Sequence, residues 1–250
     1  MAHASAKAHQ AVQPHKSILR WTIQITGELL ITVGLVLLLF VVWQLWWTNI
    51  DANRSQSQAV DSLTHEFSSA APVEQWDPQN PPEPEAEPEH GKGFGVVYIP
   101  RFGADYQRPA AQGTSADVID TLGLGHYDGT AMPGGVGNFA LAGHRQTRGA
   151  VLDYIDKLQV GDHIYVRTKN GYYTYTVYEH VIVQPDNIEV IEPVPSKPGQ
   201  EPTERIMTLT TCHPRYGDTE RYIVHDRFES WQPNSDSAPA EIAQAAQNPA

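Results

Sequence analysis

Residues 162–183 read DHIYVRTKNGYYTYTVYEHVIV, and no other stretch of the chain indicates its fold class as clearly. Val, Ile, Tyr and Thr, which favour strands, are frequent on both sides of Asn170-Gly171. An Asn-Gly pair between two such runs is a strong signal for a tight β-hairpin. The sequence therefore predicts a hairpin with Asp162–Thr168 as its first strand and Tyr172–Val183 as its second.

Further short runs of strand-forming residues lie on both sides of this hairpin, with turn residues between them. Two short helices are predicted, over Ser115–Leu122 and Val151–Leu158. Many short strands separated by turns indicate a mostly β domain, an antiparallel barrel or sandwich, over residues 94–229. The other predicted strands are Val96–Ile99, Asn138–His144, Glu204–Cys212 and Arg221–Phe228.

An apolar segment, Leu29–Trp47, precedes this domain and has only Thr32 and Gln44 as polar residues. At about 1.5 Å per residue it is long enough to cross roughly 30 Å of hydrocarbon. A cleaved signal peptide, the alternative, has a shorter apolar core that ends in small residues, whereas this segment ends in tryptophans. We therefore predict one membrane-spanning helix over residues 21–48.

Charge is unevenly distributed along the chain, whose net charge of −12 disfavours a nucleic-acid partner. Residues 1–20 carry three basic and no acidic residues, which predicts a single-pass membrane protein with a cytoplasmic N-terminus and an extracellular C-terminal domain. Six prolines and six acidic residues within 71–90 predict an extended extracellular spacer over 49–93. Residues 230–250 lack an apolar period, which predicts a disordered tail.

Cys212 is the only cysteine of the chain and lies in the run Thr208-Leu-Thr-Thr-Cys212-His-Pro214. Outside the cytoplasm, a cysteine without a disulfide partner is a liability unless it has a function. Strand alternation puts Met207 and Leu209 on the core side and Cys212 on the other side, with Thr210. The thiol is therefore predicted to face a groove.

Two other residues occupy corresponding places on their strands. Phe139 and Leu141 supply the apolar face of one strand, so His144 lies opposite, beside small alanines. An antiparallel pair of the strand that ends at Cys212 and the strand that begins at Arg221 would bring a thiol close to a guanidinium. A nucleophilic thiolate needs such a cation, an acyl-transfer intermediate needs an oxyanion donor, and a histidine can transfer the protons.

Bland explanations fit the same spacing. A lone cysteine is commonly a small buried apolar residue, a histidine a core residue and an arginine a solvated edge, so the pattern alone leaves both interpretations open. A zinc site from Cys212, His213 and His144 is disfavoured, because paired-cysteine spacing is missing and adjacent strand residues point apart. His126 rivals His144 as an acid/base, but its glycine-flanked position favours a groove wall.

Three motifs of the chain together resemble the signature of the sortases, the membrane-anchored cysteine transpeptidases of Gram-positive bacteria. These are Leu141-Ala-Gly-His-Arg145, Thr208-Leu-Thr-Thr-Cys212, and Arg221 nine positions after the cysteine. Gly123–Gly134 and Gly137–Arg145 resemble class E, the actinobacterial group. The similarity extends over residues 94–229.

The resemblance implies an eight-stranded β-barrel with short helices and a thioacyl mechanism. Cys212 would attack the Thr–Gly bond of a C-terminal sorting signal, His144 would act as general acid and then base, and Arg221 would stabilise the oxyanion. Thr211 would help to stabilise the intermediate. Tyr127 becomes a candidate contact for the Ala of a Leu-Ala-x-Thr-Gly signal, preferred over Leu-Pro-x-Thr-Gly, and the predicted substrate-binding residues are Thr210, Thr211, Tyr127 and His126.

The implied partners are surface proteins that carry sorting signals and the amine of a lipid-linked peptidoglycan precursor. No cofactor and no metal are expected, since the acidic ligand cluster of calcium-stimulated sortases is not recognisable. The polar C-terminal tail favours a housekeeping enzyme over one that polymerises pilins. A plain cysteine endopeptidase, with water as the acceptor, is the remaining alternative.

Overall fold

The structure is a computed structural model that describes residues 18–69 and 73–247, with the side chains of all of these except 44–46. The predicted cytoplasmic segment lies outside the described residues, apart from 18–20. The chain divides into two compact units between Leu45 and Trp46. The first helix, α1, runs over Ile18–Phe67 and therefore contributes to both units. It is long and apolar enough to span a membrane, as the sequence predicts.

Eight strands, three to thirteen residues long, follow α1 in the part of the chain that the structure describes. The two short α-helices are α2, Ala116–Ile119, and α3, Ala243–Gln247. Single 3-10 turns cover Pro100–Phe102, Ile155–Lys157, Ile188–Ile191 and Ala240–Ile242. The strands are β1 Gly93–Tyr98, β2 Gln107–Gln112, β3 Leu124–His126, β4 Gly137–Gly143, β5 His163–Thr168, β6 Gly171–Val183, β7 Arg205–His213 and β8 Glu220–Gln232.

These strands close into a barrel in the order β1-β2-β3-β4-β7-β8-β6-β5. The predicted eight-stranded barrel is thus confirmed, and so is the predicted hairpin, because β5 and β6 pair antiparallel with Thr168 opposite Gly171. Two strand pairs differ from a purely antiparallel barrel: β2 with β3, and β4 with β7, are parallel. The second of these pairs sets the geometry of the candidate site.

The barrel interior holds the main apolar core. Phe139 and Leu141 of β4 and Met207 and Leu209 of β7 are members of this core and are almost completely buried. The side assignment predicted from strand alternation is therefore confirmed for both strands. The groove-side residues Ala140 and Thr208 are also buried, because other parts of the chain cover that face.

A second apolar cluster lies outside the barrel and involves the C-terminal segment. Val60, Leu63 and Phe67 of α1 form one cluster with β1 residues and with Ile242, which is 2% exposed. The prediction of a disordered tail over 230–250 is wrong for the described part, since β8 continues to Gln232 and α3 follows. Ile242 and Ala245 cover apolar surface that would otherwise be exposed.

The proline-rich segment before β1 is bound to the barrel and does not form the free extended tether that its composition predicts. The Trp231 amide donates to the carbonyl oxygen of Pro78 at 2.8 Å, and the Trp76 ring contacts the Trp231 ring edge-on. Glu87 accepts a hydrogen bond from the Gln112 side chain and another from the Gly129 amide. Proline lacks an amide donor but keeps its carbonyl acceptor, and barrel donors reach it.

Candidate active site

Cys212 of β7 and Arg221 of β8 are strand partners, and His144 directly follows the neighbouring strand β4; we call these three residues the row. Ala142 of β4 is opposite Thr210 of β7, and His144 and Cys212 each lie two residues further along the chain. Cys212 is directly opposite Arg221 in the antiparallel β7–β8 pair. Neighbouring strands are roughly 4.8 Å apart, so the three residues share one end and one face of the barrel. The thiol is half-buried.

An acidic residue at the C-terminal end of α2 binds the histidine of this row. Asp120, the residue that ends α2, has its Oδ1 atom 2.7 Å from His144 Nε2. Its Oδ2 atom lies 3.5 Å from Nε of Arg148. About a quarter of each side chain of the Asp120–His144 pair is exposed, so this is a partly shielded ion pair when the imidazole is protonated.

Arg221 is bound to the loop that joins β7 to β8. Its Nη1 atom donates to the carbonyl oxygens of Asp218 and Glu220, both at 2.9 Å. These bonds fix Nη1 of the guanidinium at the loop, while the backbone of Arg221 pairs with that of Cys212. A guanidinium has five donor hydrogens, so this arrangement leaves donors for a developing negative charge.

The two threonines before the cysteine have different places. Thr211 lies on the core side, 3% exposed, and donates from Oγ1 to the carbonyl oxygen of Gly143 at 2.7 Å. It therefore clamps β7 to the end of β4, immediately before His144. Thr210 lies on the groove side, where its hydroxyl is 2.9 Å from the hydroxyl of Tyr127. Tyr127 is thus brought to the floor of the groove, two residues from the thiol.

His126 does not contribute to the groove. The side chain is completely buried and packs against Phe94 and Phe139, which belong to the barrel core. Its Nδ1 atom pairs with Gln112 at 2.8 Å and its Nε2 atom with the carbonyl oxygen of Ala131 at 3.0 Å. Burial lowers the pKa of His126 below its ordinary value. The predictions of a groove wall and of a substrate contact are wrong, because β3 turns this imidazole inward.

Polar side chains continue the groove face along β4, β7 and β8, away from the cysteine. Thr208 donates to Asn138 Oδ1 at 2.7 Å and lies 2.9 Å from Nδ1 of His225. The amide nitrogen of Asn138 donates to the carbonyl oxygens of Val190 and Glu192, at 3.2 and 3.1 Å. This relay fastens the loop between β6 and β7 over the far end of the groove.

Sequence reasoning missed two polar residues next to the row. Arg145 is 4% exposed; its Nη1 lies 2.9 Å from His213 Nδ1, and its Nη2 3.2 Å from Asp156. Its place directly after His144, in a motif otherwise apolar, was the available signal. Asp120 gave a weaker one, as an acidic residue near the end of a predicted helix. In the part of the chain that the structure describes, no group of three or more His, Cys, Asp or Glu is arranged to hold a metal.

A family model described as Sortase domain matches residues 97–228, which includes the whole row. The chain belongs to the sortase family. Sortases are cysteine transpeptidases, and Cys212 is the only cysteine of this chain.

Several sortases show how far the similarity extends. The chain is 38% identical over 220 residues to Sortase SrtE1 of Streptomyces coelicolor, a match that covers 85% of this chain and 59% of that protein. The structure of sortase E from Streptomyces avermitilis is 39% identical, has a TM-score of 0.56, and matches 62% of this chain and 99% of its own. Sortase E1 of S. coelicolor with a tripeptide in its active site is 38% identical, with a TM-score of 0.55 over 61% of this chain and 97% of its own. The predicted resemblance to class E sortases is confirmed.

Proposed function

We propose that this sortase is a membrane-anchored transpeptidase that cleaves a C-terminal sorting signal between Thr and Gly. The row of His144, Cys212 and Arg221 across β4, β7 and β8 is the observation that carries the proposal. A nucleophile, a proton carrier and an oxyanion donor are the three groups that acyl transfer requires. Family membership supports the same chemistry.

The reaction follows from these three groups. The Cys212 thiolate attacks the carbonyl carbon of the signal threonine, and Arg221 stabilises the negative charge on its oxygen. When the tetrahedral intermediate collapses, the C–N bond breaks and His144 protonates the leaving glycine amine. An acceptor amine then attacks the thioester, His144 takes its proton, and the thiolate leaves, so the enzyme is regenerated.

The signal peptide is proposed to lie along the groove face of β4 and β7. Tyr127 and Thr210, joined at 2.9 Å, stand two residues from Cys212 and are proposed to contact the residue at the second place of a Leu-Ala-x-Thr-Gly signal. A tyrosine ring narrows the groove there and favours a methyl group over a proline ring. The structure of Sortase E1 with a tripeptide in its active site supports a peptide as the kind of ligand.

The proposed acceptor is an amine of the lipid-linked peptidoglycan precursor, with surface proteins as the clients. We propose that residues 21–48 cross the membrane once, with residues 1–20 in the cytoplasm and the catalytic domain, 94–229, outside. The three basic residues before the span and the length of α1 support this orientation. A membrane-bound precursor is then within reach of a membrane-anchored enzyme.

A peptide-cleavage assay on the full chain in detergent micelles tests the proposal. Cys212→Ala and His144→Ala should each reduce cleavage of a Leu-Ala-x-Thr-Gly peptide at least about a thousandfold. His90→Ala is the matched control, because His90 is exposed and pairs with Asp117 away from the row. Cleavage that survives in folded Cys212→Ala would refute the proposal. An amide adduct with added diglycine identifies a transpeptidase, whereas hydrolysis alone would identify an endopeptidase.

A further inference from the structure

The histidine of the row begins a loop whose backbone is unusual. The Leu152 amide donates to the His144 carbonyl oxygen at 2.9 Å and closes the loop on itself. Within it, Arg148, Gly149 and Ala150 have φ of 55°, 88° and 47°. Left-handed backbone is disfavoured for residues with a Cβ atom, so two of these three positions are strained. Such a conformation persists only when the surroundings impose it.

The second half of α1, which belongs to the same compact unit as the barrel, supplies those surroundings. Gln56 donates from Nε2 to the carbonyl oxygen of Arg148 at 3.1 Å, and Asn49 Oδ1 accepts from the Gly149 amide at 3.1 Å. The strained stretch is therefore held from the helix at two consecutive residues.

Two glycines make room for the glutamine. A Cβ atom at Gly149 would lie 2.7 Å from Gln56 Nε2, and one at Gly123 would lie 3.2 Å from its Cδ. Gln56 is 2% exposed, and its Oε1 atom is buried without a hydrogen-bond partner among the described residues. The Gln56 side chain is thus packed into a narrow space between α1 and the loop, where its amide group donates a hydrogen bond to the Arg148 carbonyl oxygen.

The contacts continue from this slot to the imidazole. Arg148 Nε lies 3.5 Å from Asp120 Oδ2, and Asp120 Oδ1 lies 2.7 Å from His144 Nε2. Arg148 and His144 therefore contact the two oxygens of one carboxylate, that of Asp120. Because a carboxylate held from two sides cannot turn freely, the ring that it binds keeps one orientation.

We propose that Gln56 of α1 is a positioning residue for His144 and acts through Arg148 and Asp120. The proposal rests on the proposed function, since it gives His144 the proton transfers. Helix α1 then does more than anchor the enzyme, because its second half orients His144, which acts in the chemical step. Loss of Gln56 should lower kcat and leave KM nearly unchanged, because neither Gln56 nor Asp120 lies among the proposed peptide contacts.

A double-mutant cycle on the full chain in detergent micelles tests this inference. Gln56→Met keeps the side-chain volume and removes both the donor and the unpaired acceptor, so the fold should be retained. We expect kcat to fall about threefold to tenfold for Gln56→Met and at least about tenfold for Asp120→Asn, with KM within about twofold. The double variant should be no slower than Asp120→Asn alone, because the two residues act in series.

Two controls make the result specific. Gln58→Met changes the same residue type two positions on, at an exposed site of α1, and should keep the wild-type kcat. Asp117→Asn removes the carboxylate within α2, which pairs with His90, and should also keep the wild-type kcat. A wild-type kcat in folded Gln56→Met, or losses that multiply in the double variant, would overturn the inference. If folded Cys212→Ala stays active in the same assay, the proposed function itself fails, which is a separate result.

Discussion

Acidification from pH 7 to pH 4 should cost the barrel about 3 kcal/mol through His225 alone. The ring of His225 is 1% exposed and stacks on Tyr178 at 6.1 Å between centroids. Thr208 gives its only hydroxyl proton to Asn138, so Nδ1 of His225 must carry a hydrogen and donate to Thr208. The hydrogen bonds around His225 thus require the neutral tautomer that carries its hydrogen on Nδ1.

The sign and size follow from the shift. Burial lowers the pKa of His225 from 6.5 to about 4. A lowered folded-state pKa means that the contribution to stability is fully present above the unfolded pKa of 6.5 and is lost as the pH falls through the folded value. A shift of about 2.5 units corresponds to roughly 3 kcal/mol, and most of that loss is complete at pH 4.

Urea denaturation at pH 7, 5.5 and 4, followed by tryptophan fluorescence, measures the effect. His225→Asn is the matched variant, because its side-chain amide can still donate to Thr208 but does not titrate. Carboxylates titrate alike in both proteins and cancel in the difference. The stability advantage of the wild type over His225→Asn should shrink by about 3 kcal/mol between pH 7 and pH 4. Parallel stability curves would refute the reasoning.

Three other substitutions have defined outcomes. Burial raises the pKa of Asp226 well above 3.8, so the contribution of this carboxyl to folding stability is present below pH 3.8 and is lost as the pH rises. Asp226→Asn should therefore raise the free energy of unfolding in urea by at least about 1 kcal/mol at pH 7. A decrease would contradict this. Ile242→Ala should cost about 2 kcal/mol and speed proteolysis of the C-terminal segment, whereas an unchanged digestion rate would mean that α3 is not docked. Thr211→Val removes the hydroxyl that donates to the Gly143 carbonyl and should lower stability by about 1 kcal/mol and also lower kcat, while Thr211→Ser should retain both. Equal values for the two variants would rule out the clamp.

Strand alternation was enough to place the groove. Met207 and Leu209 alternate with Thr208 and Thr210, so the apolar side of the strand indicates which way Cys212 points, and both apolar residues lie in the barrel core. The antiparallel pairing of Cys212 with Arg221 followed from their short separation along the chain. Local patterns predict what local geometry decides.

Other features depend on contacts between distant segments and left little trace in the sequence. The parallel β4–β7 pair, whose ends lead to His144 and Cys212, joins strands with β5 and β6 between them in the chain. His126 appeared to be in a loop because glycines flank it, but pairing of β3 with two strands buries it. Residues 233–247 looked disordered since Ile242 is almost the only large apolar side chain there, and its partner surface lies on α1 and β1.

Every one of the eight described strands has a neighbour on both sides, since β1 also pairs with β5. A sheet without a free margin offers no unpaired backbone to an incoming chain. We therefore expect a peptide substrate of the proposed function not to bind by adding a strand to the sheet, a mode of binding in which main-chain hydrogen bonds give the affinity. Recognition of the proposed substrate would then depend on side chains along the outer wall of the barrel, which favours a short, strict recognition sequence. The closed sheet also disfavours edge-to-edge pairing between neighbouring copies of the protein.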